Sequence, residues 1–367
     1  MFVKSLILNH YRNYSHLEAN FSKERIYLTG ENGVGKTNIL EAIYFLTLGR
    51  SFRKAEAVDL IQKGEKEASL YLTYYSEEDN KDHSVSCVLG PDYKIFALDD
   101  EKVKSVSKIL GKLIAVYYEP SLVFFFRAEP EGRRKFLDET LSQLSPSYLY
   151  ALARYKKLLK ERNSALQQDY DPDIIKVLRN QLINLSYRIV LERKELIKTL
   201  SQKGGDYYHR LFGSDEKKFT LTYKTTCPLD DDQDSYVKNA LARFEANQSV
   251  ESIRKVTVIG PHRDDLIGSL QGNDLADYGS QGENRLASLS LRLASLDILT
   301  ERLKKRPLLL LDDITSDLDE TRTKNLLTCL DQDEQIFLTG ARIREGFENY
   351  SIYLCQDNQL HKKEDNQ

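Results

Sequence analysis

The segment GENGVGKT at residues 30–37 constrains this chain more than any other stretch of its sequence. It fits the pattern GxxxxGK[ST], it follows the apolar run IYLT, and it leads into the apolar run ILEAIYFLTL at 39–48. A glycine-rich turn between a strand and a helix lets backbone N–H groups surround a phosphate, and the helix start adds partial positive charge. The segment therefore predicts a nucleotide-binding α/β domain.

The side chains at the end of this turn suit a nucleoside triphosphate with its magnesium ion. Lys36 can reach the β- and γ-phosphates, and Thr37 can hold Mg²⁺ through its hydroxyl. The alternative is a glycine-rich turn with a chance lysine, and the strand and helix on either side argue against it. The residues expected to bind ATP here are Gly30, Glu31, Asn32, Gly33, Val34, Gly35, Lys36 and Thr37.

An acidic pair near the other end of the chain supplies the expected second half of the site. The run Leu308–Leu311 is typical of a parallel strand buried on both faces, and Asp312 and Asp313 follow it. A carboxylate at the carboxyl end of such a strand lies beside the phosphate crevice. We expect Asp312 to coordinate Mg²⁺ and Asp313 to orient the attacking water. The candidate catalytic residues are thus Asp313, Asp312 and Lys36, although the pair alone would also fit an acidic turn.

The spacing of the two halves indicates a large insertion. About 275 residues separate Thr37 from Asp312, whereas many phosphate-loop enzymes place these elements within roughly one hundred. Just before the acidic strand, Ser280, Gln281 and Gly282 open a predicted helix at 281–303. This small, polar helix start is a second candidate anion-binding end, with a plain helix cap as the alternative.

Composition excludes several classes of protein. The 367 residues are 41% hydrophobic and 30% charged, which is typical of a globular protein of about two or three domains or one large one. The four cysteines lie far apart without a CxxC pair, so neither a disulfide framework nor a zinc site is expected. No apolar run approaches the roughly 18 residues of a membrane span, and the N-terminus lacks a signal pattern. We therefore expect a cytoplasmic protein with no membrane partner.

Positive charge is concentrated in a helical stretch at 151–205. Twelve basic and six acidic residues give it a charge of about +6, against −3 for the whole chain. We expect Pro172 to divide it into a helical hairpin and Gly204 and Gly205 to end it, with strands returning at 219–223 and 256–259. Clustered basic side chains are typical of phosphate contact, with a solvated helix face as the alternative. The candidate DNA-binding residues are Lys156, Lys157, Lys160, Arg133 and Arg134.

The order of these elements resembles the ATPase head of the ABC and SMC superfamily, and within it the RecF family. The blocks that carry the resemblance are spread along nearly the whole chain. They are YRNY at 11–14, GENGVGKT at 30–37, GRSFR at 49–53, RRKFLD at 133–138, RN at 162–163, GPHRDD at 260–265, GSQG at 279–282 and LLDD at 310–313. The combination of GPHRDD with GSQG is the most specific of these.

The resemblance assigns motif names to these segments. Residues 30–37 are the Walker A loop, 280–283 the signature, 308–313 Walker B and 316–319 the D-loop. The sequence departs from the expected motifs at three points. The block YYEPS at 117–121 stands where the family usually has phenylalanine-proline-glutamate-aspartate, the signature reads SQGEN instead of SQGQQ, and Thr339 and Gly340 stand where transporter-type heads have a switch histidine.

The resemblance also implies a fold. It is an α/β fold, an ABC/SMC-type P-loop ATPase head with a mixed β-sheet, plus an inserted α-helical lobe. The head is expected from residues 1–120 and 206–367, whose N- and C-terminal parts pack together, and the lobe with its basic face from 121–205.

The function implied by the resemblance is ATP-dependent DNA binding in recombinational repair and replication restart. Family members bind single-stranded, gapped or double-stranded DNA, help load recombinase, support the SOS response and work with RecR and RecO. The implied cofactors are ATP and Mg²⁺, and the implied assembly is an ATP-dependent homodimer. In it, Ser280, Gln281 and Gly282 of one copy complete the nucleotide site of the other, and slow, DNA-stimulated hydrolysis resets the switch.

Three other functions would require features that differ from those of this sequence. A transporter subunit would show an LSGGQ-like signature and a switch histidine. A cohesion-type SMC protein would need long heptad arrays between its two halves. A nuclease of the overcoming-lysogenization type would append an acidic metal domain after Walker B. An ATP-gated scaffold without significant turnover remains open, because it would use the same pocket and only a hydrolysis assay separates the two.

Overall fold

The computed structural model describes residues 1–23, 25–213, 217–229, 232–314, 318–330, 334–343, 346–347 and 349–363. Its internal contacts divide the chain into two compact units. The first unit contains Met1–Leu122, Tyr207–Ser214 and Leu289–Gln367, and the second contains Val123–Asp206 and Asp215–Ser288. The phosphate loop and the acidic strand belong to the first unit, and the signature to the second.

One sheet of the first unit is antiparallel. Its strands are β1 (Phe2–Tyr11), β2 (Tyr14–Asn20), β4 (Ala68–Ser76), β5 (Lys81–Leu89), β6 (Lys94–Leu98) and β7 (Glu101–Lys102), in the order β2-β1-β4-β5-β6-β7. Buried residues alternate with more exposed ones along β4, which is the pattern of a sheet with one face on the core.

The other sheet of the first unit carries the site. It consists of β3 (Ile26–Thr29), β8 (Ala115–Tyr118), β12 (Leu308–Leu311), β13 (Ile336–Gly340), β14 (Ser351–Gln356) and β15 (Gln359–Lys362), in the order β15-β14-β3-β13-β12-β8. All neighbours are parallel except the edge pair β14–β15. Every residue of β3 and β12 is buried, as expected for parallel strands covered on both faces.

Helices complete the first unit. Helix α1 (Lys36–Leu48) starts directly after the phosphate loop and ends where Gly49, at φ 70°, takes the left-handed conformation and donates to the Phe45 carbonyl at 2.7 Å. The short α2 (Ala57–Leu60) follows, and α10 (Glu320–Cys329) comes after the acidic strand. The predicted helix at 281–303 is confirmed as α9 (Gln281–Leu303), whose residues from 289 onward belong to this unit.

The second unit is mainly helical. It contains α3 (Pro130–Leu144), α4 (Pro146–Gln167), most of α5 (Pro172–Phe212), α6 (Gln233–Ala246), α7 (Gln248–Arg254) and α8 (Leu275–Tyr278). A small antiparallel sheet joins them, with β9 (Phe219–Lys224), β10 (Asp265–Leu270) and β11 (Asn273–Asp274) in the order β11-β10-β9. The helical hairpin broken before Pro172 is confirmed.

The second unit extends beyond the predicted helical lobe at 121–205. Residues 215–288, expected in the head from the resemblance, belong to the same compact unit as residues 123–206. A clear reason is the buried pairing of Arg133 with Asp265, which ties α3 to β10 across 132 residues of chain. Such long-range pairing leaves no local pattern in the sequence.

Two local predictions in this region are wrong. Gly204 and Gly205 do not end the helix, since α5 continues to Phe212, and a Cβ on Gly205 would lie 3.3 Å from the Phe219 carbonyl oxygen. The glycine therefore serves the close approach of β9. The segment 256–259 is a loop rather than a strand, because the Asn163 and Glu251 side chains accept its backbone N–H groups.

Among the described residues, no helix has both the length and the hydropathy needed to cross a membrane.

Candidate nucleotide site

The phosphate loop has the backbone of an anion cradle. Gly30, Gly33 and Gly35 have φ angles of 148°, 87° and 106°, which L side chains rarely adopt. A Cβ on Gly35 would lie 2.6 Å from the Asn13 amide nitrogen, so glycine is required there for packing as well. Above Gly33 a Cβ would meet nothing within 4 Å, so the loop faces open space at this point.

Lys36 is held inside this loop. It is 8% exposed, and its Nζ donates to the carbonyl oxygens of Gly30 at 2.6 Å and Glu31 at 2.7 Å. Burial lowers the pKa of Lys36 below its ordinary value, because the ammonium is removed from water. A phosphate anion in the loop would favour the charged ammonium, so the residues present fit a bound nucleotide.

Asp312 lies opposite the start of α1. Its Oδ1 accepts hydrogen bonds from Thr37 Oγ1 at 2.9 Å and Thr339 Oγ1 at 2.7 Å. Burial raises the pKa of Asp312, and the two hydroxyl donors partly oppose that rise. A buried carboxylate beside a threonine hydroxyl is an oxygen donor set that Mg²⁺ prefers. When bound, Mg²⁺ would neutralise phosphate charge, and Thr37 and Asp312 would hold it.

Asp313 occupies a strained position next to it. Its φ is 43°, in the left-handed region that non-glycine residues rarely adopt, and its backbone N–H donates to Thr339 Oγ1 at 2.9 Å. Strain of this kind is retained where the surrounding structure fixes it, commonly at functional sites. The structure thus brings Lys36, Thr37, Asp312 and Asp313 to the same edge of the parallel sheet.

Glu41 is a central residue of the site that the sequence analysis did not identify. It lies on α1, is fully buried, and accepts a bidentate ion pair from Arg12 at 2.9 and 2.8 Å. It also accepts from Ser51 Oγ at 2.5 Å and lies 3.5 Å from Arg53 Nη1. A lone acid within the apolar run ILEAIYFLTL was the available signal. Glu41 joins the YRNY and GRSFR blocks to the helix that follows the phosphate loop.

Asn13 connects the loop to two other elements. Its side-chain nitrogen donates to the Val34 carbonyl at 3.1 Å and to Asn358 Oδ1 at 2.7 Å, and its oxygen accepts from Asn38 Nδ2 at 2.7 Å. Asn38 in turn accepts from Arg53 Nη1 at 2.8 Å. These bonds fix the loop conformation from outside the loop itself.

The segment 117–121 lies beside Asp312. The Asp312 N–H donates to the Tyr118 carbonyl at 2.9 Å, and Glu119, one residue further, raises the pKa of Asp312 through its negative charge. Glu119 accepts from Tyr117 Oη at 3.2 Å and from Ser121 Oγ at 2.6 Å. Glu119 is therefore a third carboxylate at this edge of the sheet, after Asp312 and Asp313.

The signature residues begin α9 in the second unit. Ser280 Oγ accepts from the Glu283 N–H at 3.3 Å, and Glu283 Oε2 accepts from the Ser280 N–H at 2.7 Å, which is a capping box. Lys217 forms an ion pair with Glu283. Ser280 and Gln281 are exposed, and Gly282 is half-buried. Ser280 therefore acts as a helix cap, and the signature also presents a polar helix start to solvent.

Of the candidate DNA-binding residues, Arg133 is placed in the interior. It is 5% exposed, pairs with both oxygens of Asp265 at 2.7 and 2.9 Å, and donates to three backbone carbonyls. Its guanidinium is thus occupied by the protein, which argues for a structural role in place of DNA contact. Arg134 donates to the Asp264 carbonyl at 2.8 Å.

The lysines on α4 are more accessible. The Lys157 side chain is 80% exposed and that of Lys156 58%, and Lys160 is also exposed. Lys156 lies 3.6 Å from the buried Asp138, and Lys157 lies 3.8 Å from Glu161. Two other arginines of the predicted basic face, Arg162 and Arg193, are each 2% exposed. The basic face is therefore smaller than the sequence predicts.

The GPHRDD block lies at a junction of the second unit, with Gly260, Pro261 and Asp264 buried. Asp264 accepts from Tyr223 Oη at 2.6 Å and from the Thr226 N–H at 2.8 Å. His262 bonds to Tyr155 Oη at 2.6 Å, and the Pro261 carbonyl accepts from Arg193 at 2.7 Å. Desolvation lowers the pKa of His262 to about 4, so the ring is neutral at pH 7. The block thus links α4, α5 and β9.

Part of the predicted D-loop at 316–319 lies outside the described residues, namely Ser316 and Asp317. Of the rest, Leu318 is buried, and Asp319 caps α10 by accepting from the Arg322 N–H at 2.8 Å.

Comparison with known proteins agrees with this arrangement. Residues 2–354 match the family model described as the RecF/RecN/SMC N terminal domain. A DNA replication and repair protein RecF from Clostridium tetani is 33% identical over 99% of this chain and 98% of its own length. The chain belongs to the RecF family. A RecF from Streptococcus gordonii is 35% identical over 94% of each chain.

Solved structures show the same fold. A structure of the recombination mediator protein RecF with ATP in the RecFOR pathway superposes with a TM-score of 0.91 at 26% identity, covering 99% of this chain and 98% of that one. An Smc head domain from Pyrococcus furiosus superposes with a TM-score of 0.57 at 17% identity, covering 99% and 96%. The RecF-family chain therefore has the ABC/SMC ATPase head fold that the sequence predicts.

Proposed function

We propose that this chain is an ATP-dependent DNA-binding protein of recombinational DNA repair and replication restart. In this proposal it binds single-stranded, gapped or double-stranded DNA, helps load a recombinase and contributes to SOS induction. Curated relatives are described as DNA replication and repair proteins, and a solved relative as a recombination mediator of the RecFOR pathway. RecR and RecO are accordingly the proposed pathway partners, and the cytoplasm the proposed location.

The observation that carries the nucleotide part of the proposal is the bond between Thr37 and Asp312. This hydrogen bond, 2.9 Å long, joins the end of the phosphate loop to the end of the acidic strand across 275 residues of chain. With Lys36 buried in the loop, one edge of the sheet supplies a cation for phosphate and two oxygen donors for Mg²⁺.

ATP is proposed to act by pairing two copies. Ser280, Gln281 and Gly282 of one copy would approach the γ-phosphate held by Lys36 of the other, because an exposed helix start attracts an anion. Asp313 would orient the attacking water, and hydrolysis would release the pair. The slow cycle then functions as a switch that controls DNA binding.

Thr339 supports a slow cycle. Its hydroxyl donates to Asp312 at 2.7 Å and accepts from the Asp313 N–H at 2.9 Å, so it orders both acids. A threonine at this position cannot exchange protons as an imidazole does. This observation also favours the second candidate, an ATP-gated scaffold without significant turnover, which a hydrolysis assay with and without DNA distinguishes.

DNA binding measured with and without ATP tests the proposal directly. The parent protein should bind gapped DNA more tightly with ATP than with ADP. Lys36→Ala should lose most of its ATP affinity, because the β- and γ-phosphates lose their cation, and its DNA binding should no longer respond to ATP. ATP binding of unchanged affinity in Lys36→Ala would show that the loop is not the nucleotide site.

A further inference from the structure

Tyr278 is the most exposed of the tyrosine and phenylalanine side chains in the described part of the chain. Its exposed fraction is 76%, compared with 63% for Tyr150. It is the last residue of α8 and immediately precedes Gly279 and Ser280. An aromatic ring therefore stands in solvent next to the signature.

The backbone beneath this ring is held firmly. Asn284, 1% exposed, donates from one side-chain nitrogen to the carbonyls of Leu275 at 3.1 Å, Gly279 at 3.2 Å and Ser280 at 3.0 Å. Arg127 donates to the Gly279 carbonyl as well. The turn that carries Tyr278 is thus tied to the buried Asn284 and to Arg127.

Gly279 shows how closely this turn is packed. A Cβ there would lie 2.7 Å from Asn284 Nδ2 and 2.7 Å from the Leu275 carbonyl oxygen. An exposed tyrosine on a rigid base loses little conformational freedom when a partner covers it. Tyrosines in such positions are common among the few residues that dominate an interface.

On the side of the signature the ring borders a surface without uncompensated charge, whereas the exposed Asp277 precedes the ring in the chain. Glu283 would place a negative charge beside the signature, but Lys217 pairs with it and keeps the pKa of that carboxyl below its usual range. Ser280 and Gln281, which continue the surface from Tyr278, are exposed and uncharged. The surface formed by Tyr278, Ser280 and Gln281 is therefore aromatic and polar.

We propose that Tyr278 of one copy packs against the phosphate-loop face of a second copy and anchors the ATP-dependent pair. The second copy is the expected occupant because the ring is continuous with the signature, which the proposed function places on the nucleotide of another copy. In that copy, Glu31, Asn32 and Gly33 are exposed and the loop has open space at Gly33. The inference rests on the proposed pairing and adds to it an anchor that does not contact phosphate.

Sedimentation velocity with a non-hydrolysable ATP analogue tests the anchor. Tyr278→Ala should raise the dissociation constant of the pair at least tenfold. The dissociation constant of Tyr278→Phe should stay within about threefold of the parent's, because the ring supplies most of the contact. Tyr150→Ala removes a similarly exposed ring elsewhere in the second unit and should behave as the parent does. The affinity of dilute monomer for the analogue should be unchanged in all three variants.

The outcomes separate the anchor from the pairing itself. A parent that pairs with the analogue and a Tyr278→Ala variant that pairs equally well would overturn the anchor alone. A parent that remains monomeric would contradict the proposed pairing, and the anchor with it. Loss of analogue affinity in monomeric Tyr278→Ala would also overturn the anchor, since the ring would then act within one copy.

Discussion

At the scale of single residues, the two acids after β12 have different surroundings. Asp312 is buried and receives two hydroxyl donors, whereas Asp313 is half-buried and stands at φ 43°. The first arrangement suits a metal ligand, and the second suits a group that contacts a water molecule at the edge of the site.

Replacement of Asp313 by asparagine separates these roles. Asparagine tolerates the left-handed backbone, so the fold should be kept while the negative charge is lost. ATP should still bind, and hydrolysis should fall by about 10²–10⁴, the usual contribution of a general base. Single-turnover hydrolysis and equilibrium nucleotide binding measure the two properties. Turnover at the parent rate would show that Asp313 is structural.

At the scale of secondary-structure elements, buried ion pairs connect parts of the second unit that are distant in sequence. Arg133 ties α3 to β10 through Asp265, and Arg162 ties α4 to α7 through Glu251 at 2.6 Å. Arg193 of α5 bonds to Asp138 of α3 at 2.7 Å. Removal of one partner leaves a buried charge uncompensated, which is strongly destabilising.

Arg133→Ala should therefore lower the free energy of unfolding by about 3 kcal/mol, because Asp265 and three carbonyls lose their donor. Arg134→Ala loses one hydrogen bond to a carbonyl and should cost about 1 kcal/mol. Urea unfolding of the two variants makes the comparison. If Arg133→Ala unfolds at the parent urea concentration but binds DNA poorly, Arg133 is a DNA contact after all.

The elements around the phosphate loop were the most predictable part of the fold. The loop, Leu308–Leu311 and the start of α9 carry local signals, namely glycine spacing, an apolar run and a cap. The sequence signal for Glu41 was weak, because a single acid in an apolar helix does not reveal the two arginines with which it pairs. The interior position of Arg133 was not predictable, since its partner lies 132 residues away.

At the scale of the whole molecule, the net charge of −3 requires any DNA contact to be local. Lys156, Lys157 and Lys160 are the exposed candidates on α4. Lys156 is less suited to charge reversal because it lies 3.6 Å from Asp138, which also pairs with the buried Arg193. A change at Lys156 would therefore disturb packing as well as charge.

The double variant Lys157→Glu/Lys160→Glu should weaken DNA binding and flatten its salt dependence by nearly two units of slope, about 0.9 for each lost phosphate contact on duplex DNA. Its ATP affinity should match the parent. Lys63→Glu/Lys66→Glu makes the same charge change on exposed lysines of the first unit and serves as the control. A slope equal to the parent's in the α4 variant would make that face a solvated surface.

ATP is proposed to pair two copies through the signature, and the mass of the protein in solution tests this pairing most directly. Light scattering with ATP, ADP and no nucleotide should show a dimer with ATP alone. Ser280→Arg should bind ATP as the parent monomer does but remain monomeric and hydrolyse none, because its bulk and charge occupy the proposed interface. A parent that stays monomeric at every concentration with ATP while hydrolysing at full rate would contradict the claim.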